Sequence, residues 1–174
     1  MTVLEQALEG TKSVAILGHV RPDGDCLGST LGLYNYLLAS YPDIQAAVYL
    51  EEASSKFAYL KGYDEIHHET DDREYELCIC LDSSDEERLG DFKVYLKRAK
   101  KSLCIDHHIT NTRYCEINLV AADASSASVL SASDSLINPH TILILDAVLI
   151  ISCGFLTLYN NSFSNSHLCI INIH

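Results

Sequence analysis

The sequence predicts an α/β fold: a doubly wound, mostly parallel sheet with flanking helices. Three observations lead there. Short apolar runs at Val14–Leu17, Leu77–Leu81 and Leu103–Ile105 read as buried strands. Segments with apolar residues at helical spacing separate them, and strands alternating with helices make a parallel sheet. Each run then ends in chemistry-bearing residues: His19 to Asp25 after the first, Asp82-Ser83-Ser84-Asp85 after the second, Asp106-His107-His108 after the third. In open α/β sheets, ligands bind at such strand ends.

The elements follow in order. Leu4, Ala7 and Leu8 are spaced for a short amphipathic helix ending at Gly10. After the first strand, Pro22, Gly24 and Gly28 predict a loop over His19–Asp25. Leu27–Ala39 reads as a helix ending near Pro42, its N-terminal dipole beside that loop and favourable to phosphate. Gln45–Leu50 is a second strand, and Ser54–Leu60 a short helix with Phe57 and Leu60 inward. Asp64–Glu76 is crowded with acids and contains His67-His68. Lying away from any strand tip, it reads as a solvated loop. Glu86–Lys101 reads as one helix, acids first and Lys97, Arg98, Lys100 and Lys101 last, which complements the helix dipole. Cys115–Val120 is another strand, and Ala124-Ser125-Ser126 opens a further helix.

Bulk properties exclude some functions. The chain has 174 residues, enough for one good core. Its formal net charge is -12, which argues against broad binding of duplex nucleic-acid backbone. It does not exclude a phosphate held through metal ions, which supply their own positive charge. Seven cysteines, with Cys78, Cys80 and Cys104 in strand positions, fit reduced thiols in a cytoplasm better than a disulfide framework. Cys78 and Cys80 share one strand face, which reads as core. Glu5 and Glu9 interrupt any apolar leader.

If the strands are parallel neighbours, the three tips meet. Imidazole nitrogens and carboxylate oxygens together suit a hard to borderline divalent metal such as Mn2+.

His19-x-x-x-Asp23-x-Asp25, then Asp82, then Asp106-His107-His108, resemble the DHH phosphoesterase family. Gly18–Ser29, Leu81–Gly90 with Arg88-Leu89-Gly90, and Ile105–Asn111 resemble its bacterial oligoribonuclease and pAp phosphatase branch, the nano-RNases. The resemblance implies a two-metal phosphoesterase using Mn2+, with Mg2+ or Co2+ as substitutes. It implies that His19 and Asp23 hold one ion, that Asp25 and His107 hold the other, and that Asp82 bridges them. His108 would contact the phosphate or aid the leaving oxygen, and Asp106 would orient a ligand histidine. Arg88 would bind phosphate or form a surface ion pair; Ser125 and Ser126 are further substrate-binding candidates. The implied substrates are short oligonucleotides and 3′-phosphoadenosine 5′-phosphate (pAp), with a related manganese pyrophosphatase as the alternative.

The likeness covers residues 1–130, read as a DHH domain incomplete at its C-terminal end; 131–174 form an uncharged, atypical tail. After Arg113 there is no Lys or Arg, and no Asp-Thr-Gly follows, although family members place a further metal carboxylate there. Three readings stand: an out-of-frame or disrupted C-terminus, a divergent cap, or a membrane anchor over Thr141–Tyr159. The first accounts for the lost charge and the lost motif together. Asp146 inside the apolar run counts against the anchor, and its substitution for the missing ligand lacks the family's surroundings. A truncated remnant that binds metal without turnover is therefore the expectation set against an active enzyme.

Overall fold

The computed structural model describes residues 1–122. Five strands, β1 (Ser13–Leu17), β2 (Gln45–Tyr49), β3 (Leu77–Leu81), β4 (Lys101–Asp106) and β5 (Ile117–Val120), form one sheet in the order β2-β1-β3-β4-β5. Every neighbouring pair is parallel. The chain steps outward from β1 to β2, then returns to lay β3 on the other side of β1. The order therefore reverses between β1 and β3, and their carboxyl ends flank the crevice where such sheets place ligands.

Strand periodicity divides the core in two. Val14, Ile16, Leu77, Ile79, Leu103 and Ile105 pack with α1 (Val3–Leu8) and α2 (Gly24–Ser40). Ala15, Leu17, Cys78, Cys80 and Cys104 face the other way, onto Leu89, Phe92 and Tyr95. Tyr95 belongs to α3 (Lys93–Arg98). Both faces are covered, so the sheet is doubly wound, and all five β3 residues are fully buried. That explains its unbroken apolar run. Three tyrosines of this cluster have partnered hydroxyls: those of Tyr49 and Tyr75 lie 2.7 Å apart, and Tyr95 donates to Asp71 Oδ1 at 3.0 Å.

Four elements differ from the sequence expectation. The helix after β1 starts at Gly24, not Leu27, because Asp23 caps it: Oδ1 accepts from Asp25 N at 3.0 Å and Cys26 N at 3.1 Å. Asp25 thus sits on the first helical turn rather than in a loop. The single helix expected over 86–101 is broken. Gly90, at φ 58° and ψ -137°, breaks the 3-10 stretch (Glu86–Phe92) from within, α3 follows only from Lys93, and β4 starts at Lys101. The helix expected over 54–60 shrinks to a 3-10 turn at Ser55–Phe57. His67 lies beside Tyr49 as an isolated parallel bridge, its ring stacked on that tyrosine 5.0 Å away. His67 is thus pinned to the sheet edge, while the rest of the stretch, with His68 exposed, is the solvated loop expected.

Gly18, between β1 and His19, lies where α2 crosses the strand ends. A Cβ there would press on Cys26 Sγ and lie 2.7 Å from Leu50 Cδ2. Overpacking of this kind costs about 1–3 kcal/mol. Gly18→Ala is expected to lower the unfolding free energy by that amount in a denaturant titration. An unchanged midpoint would show slack at this seam.

Candidate metal centre

The crossover geometry brings the three strand tips together. His19 follows β1 and is 5% exposed. Its Nδ1 donates to the Val20 carbonyl at 2.8 Å, which fixes the ring and leaves Nε2 facing two carboxylates. Nε2 lies 3.8 Å from Asp23 Oδ1 and 3.5 Å from Asp82 Oδ2. Asp82 directly follows β3, is 2% exposed, and holds a left-handed backbone at φ 54°. Aspartate tolerates that region better than most residues. Its amide donates to the Ile105 carbonyl at 3.1 Å, which ties the bend to β4.

From the far side, His107 Nε2 approaches to 3.5 Å from Asp82 Oδ1 and 3.5 Å from Asp25 Oδ2. His108 Nδ1 is 3.6 Å from the same Asp82 oxygen. Asp82 is thus the hub of two groups of donor atoms, His19/Asp23/Asp82 and Asp82/His107/His108, each within 4.8 Å of one another. His108 is the weaker member of the second group. Its Nδ1 already donates to Asp106 Oδ1 at 2.7 Å. Asp25, close to His107, is the better partner there.

Asp106 is fully buried and saturated. Oδ1 accepts from the His107 amide at 2.8 Å as well as from His108, and Oδ2 accepts from Asn111 Nδ2 at 2.6 Å. The ring it orients is therefore that of His108, while it holds His107 through the backbone. Asn111 was not singled out among the candidate site residues. It also donates to the Ser83 carbonyl at 3.2 Å, joining the second and third tips. An amide following two histidines by three residues was its only signal.

Electrostatics follow from this crowding. Burial disfavours a charged His19, but Asp23 and Asp82 outweigh it and push the imidazole up to about 10. The His19 hydrogen bond holds Asp23 well below the usual carboxylate range. Asp82 is pushed up, chiefly by burial, against the pull of His19 and with Asp25 adding like charge. Asp82 Oδ1 is buried without any hydrogen-bond donor. An orphaned buried carboxylate oxygen is costly. Between two imidazoles and further carboxylates, it is the coordination a divalent cation satisfies. The donor set fits Mn2+ and similar ions.

Arg88 stands against this centre through its backbone: its carbonyl accepts from Val20 N at 2.7 Å. Its Nε is buried without a partner, and it makes no ion pair among the described residues. Ser125, Ser126 and Asp146 lie outside the described residues, as does the 131–174 tail with its anchor reading. No helix among the described residues is long and apolar enough to cross a membrane.

An open parallel sheet that gathers histidines and aspartates at its switch point makes this an α/β protein with its candidate site at the strand ends. The chain belongs to the DHH family, whose N-terminal domain matches residues 13–145. It is 37% identical over 111 residues to the bifunctional oligoribonuclease and PAP phosphatase NrnA of Bacillus subtilis, a match covering 63% of this chain and 34% of that one. It is 30% identical over 145 residues to the probable bifunctional oligoribonuclease and PAP phosphatase NrnA of Streptococcus mutans, covering 79% of this chain and 44% of that one. The chain thus spans less than half the length of either relative. Its fold is shared with an exopolyphosphatase-related protein from Bacteroides fragilis: TM-score 0.67, 22% identity, 84% of this chain and 55% of that one.

Proposed function

We propose that this chain carries the metal-holding half of a phosphoesterase acting on short oligonucleotides, pAp or both. The observation that carries the reading is Asp82: one buried carboxylate, its Oδ1 unpaired, shared by two donor groups. His19 and Asp23 would hold one Mn2+, Asp25 and His107 a second, with Asp82 between them; Mg2+ or Co2+ could substitute. Two such ions supply Lewis-acid chemistry, polarising a phosphoryl oxygen and making water acidic enough to attack phosphorus.

The chain's own groups do the rest. The Val20 carbonyl fixes His19 so that Nε2 is presented to the cage. Asp106 fixes His108 through Nδ1 and leaves Nε2 to deliver a proton to the departing oxygen. Asn111 holds Asp106 in that position. The relatives named for oligoribonuclease and PAP phosphatase activity support the substrate class.

The test is turnover by the purified chain with Mn2+ on a dinucleotide, pAp and pyrophosphate. Hydrolysis of the first two, lost with Asp82→Asn and with chelator, is expected. Faster release from pyrophosphate would make the chain a pyrophosphatase. Stoichiometric Mn2+ binding without hydrolysis of any substrate would make it a metal-binding remnant.

A further inference from the structure

The loop that carries His19 is held from the neighbouring strand tip. β1 and β2 are parallel neighbours, so their carboxyl ends lie side by side. Glu51, shortly after β2, accepts from Arg21 N at 2.8 Å through its Oε2. That N–H belongs to the peptide joining Val20 to Arg21. The carbonyl of the same peptide is the Val20 oxygen that accepts from His19 Nδ1 at 2.8 Å. One peptide group is thus gripped at both ends, by a carboxylate on its N–H and by an imidazole on its oxygen.

Glu51 is exposed, yet the structure fixes its place. Leu50, just before it, is clamped by two histidines: Leu50 N donates to the His67 carbonyl at 3.2 Å, and the Leu50 carbonyl accepts from His68 Nδ1 at 2.9 Å. Gly90 packs against the other side, where a Cβ would lie 2.7 Å from Val20 Cγ1 and 3.8 Å from Glu51 Oε1. Arg21 holds left-handed backbone at φ 55°, which a residue with a side chain keeps only where its surroundings impose it. The bond from its N–H to Glu51 is one such restraint. Among the described residues Glu51 forms no ion pair, so its charge acts on this amide without a competing cation.

We infer that Glu51 is a positioning residue for the cage: through the Val20–Arg21 peptide it steers His19, keeping a proton on Nδ1 and the ring's lone pair on Nε2, the atom that faces Asp23 and Asp82. A carboxylate on the N–H polarises the peptide and places more negative charge on its carbonyl oxygen. That oxygen accepts from Nδ1 more strongly, which makes Nε2 a better donor to a cation. A carboxylate bonded directly to a ligand histidine has the same effect. Here it acts at the remove of one peptide. The inference rests on the metal-holding reading above and adds to it the tip of β2, which supplies none of the cage's donor atoms.

The test uses the full chain and calorimetry with Mn2+, in which the wild type is expected to give two binding constants. Glu51→Gln keeps an oxygen able to accept from Arg21 N and loses the charge. It is expected to weaken one constant, that of the ion His19 would hold, by about tenfold, the low end of what a group behind a metal ligand contributes. The other constant and the melting temperature of the metal-free chain stay as in the wild type. Glu52→Gln removes an equal charge one residue further on and changes neither constant. The second readout is proton NMR of the chain loaded with diamagnetic Mg2+. The His19 Nδ1 proton is expected downfield in the wild type and shifted upfield in Glu51→Gln, because its acceptor has lost polarisation. A merely structural prop would survive the change to Gln and leave that resonance in place. Glu51→Gln matching the wild type in either readout overturns the inference and leaves the metal-holding reading standing. So does an equal loss at both ions, or the same loss in Glu52→Gln. A wild type that binds no Mn2+ overturns the two readings together.

Discussion

Asp82→Asn is expected to abolish binding of both Mn2+ ions, while changes at Asp23 or Asp25 remove one. A carboxylate shared by two donor groups serves each ion and screens them from each other, so its loss acts twice. Asparagine keeps the shape and accepts the left-handed backbone at φ 54°, so the substitution isolates charge from fold. The stability result runs opposite to the binding result. Wild type buries a carboxylate with an orphaned oxygen, a cost on the order of 1–3 kcal/mol that the neutral amide reduces. The metal-free variant should therefore melt no lower than metal-free wild type. Addition of Mn2+ at about a hundredfold over its Kd should stabilise the wild type by about 2.7 kcal/mol for each ion bound, about 5.4 kcal/mol for two, and leave the variant where it was. A variant that still binds two ions in calorimetry would remove Asp82 from the hub.

Asp106→Asn separates proton delivery from metal binding. Asp106 touches none of the proposed ions; it accepts from His108, the His107 amide and Asn111. An amide at this position cannot accept from His108 and Asn111 together, because one of its two heads is a donor. Either His108 loses its orientation or Asn111 is left facing another N–H. Turnover of a dinucleotide is expected to fall about 10- to 100-fold, the usual cost of removing a group that orients an active-site histidine. Mn2+ stoichiometry should stay at two. The discriminating readout is the alkaline limb of the pH profile of kcat: loss of a positioned proton donor flattens it. An unchanged limb with lower kcat would leave Asp106 with a purely structural role.

The sequence made the sheet legible because buried parallel strands cannot hide: β1, β3 and β4 are apolar runs interrupted at once by His or Asp. It made the cage legible for the same reason, since ligand-type residues at three strand ends converge only if those strands are neighbours. What it obscured was local. Asp23 in a Gly- and Pro-marked stretch reads as loop, yet the same carboxylate caps α2 and moves the helix start back to Gly24. Gly90 lies inside a stretch with good helical charge order, and its backbone break outweighed that order. The partner of Asp106 was out of reach from sequence, because His107 and His108 are adjacent and only side-chain geometry decides which ring it meets. The attachment of His67 to the edge of β2 depended on a pairing between distant residues with no periodic signal.

The loops of this centre are sewn to one another rather than each to its own strand. Val20 bonds to Arg88 and Thr112 to Ser84, while Asp82 bonds to Ile105 near the end of β4. A fluctuation that lifts one loop therefore breaks a bond belonging to the next. The cage should open as one cooperative unit, not residue by residue. An ion held there would leave only when all three tips loosen in the same event, so slow release of Mn2+ in a chelator-chase experiment is expected even at modest affinity.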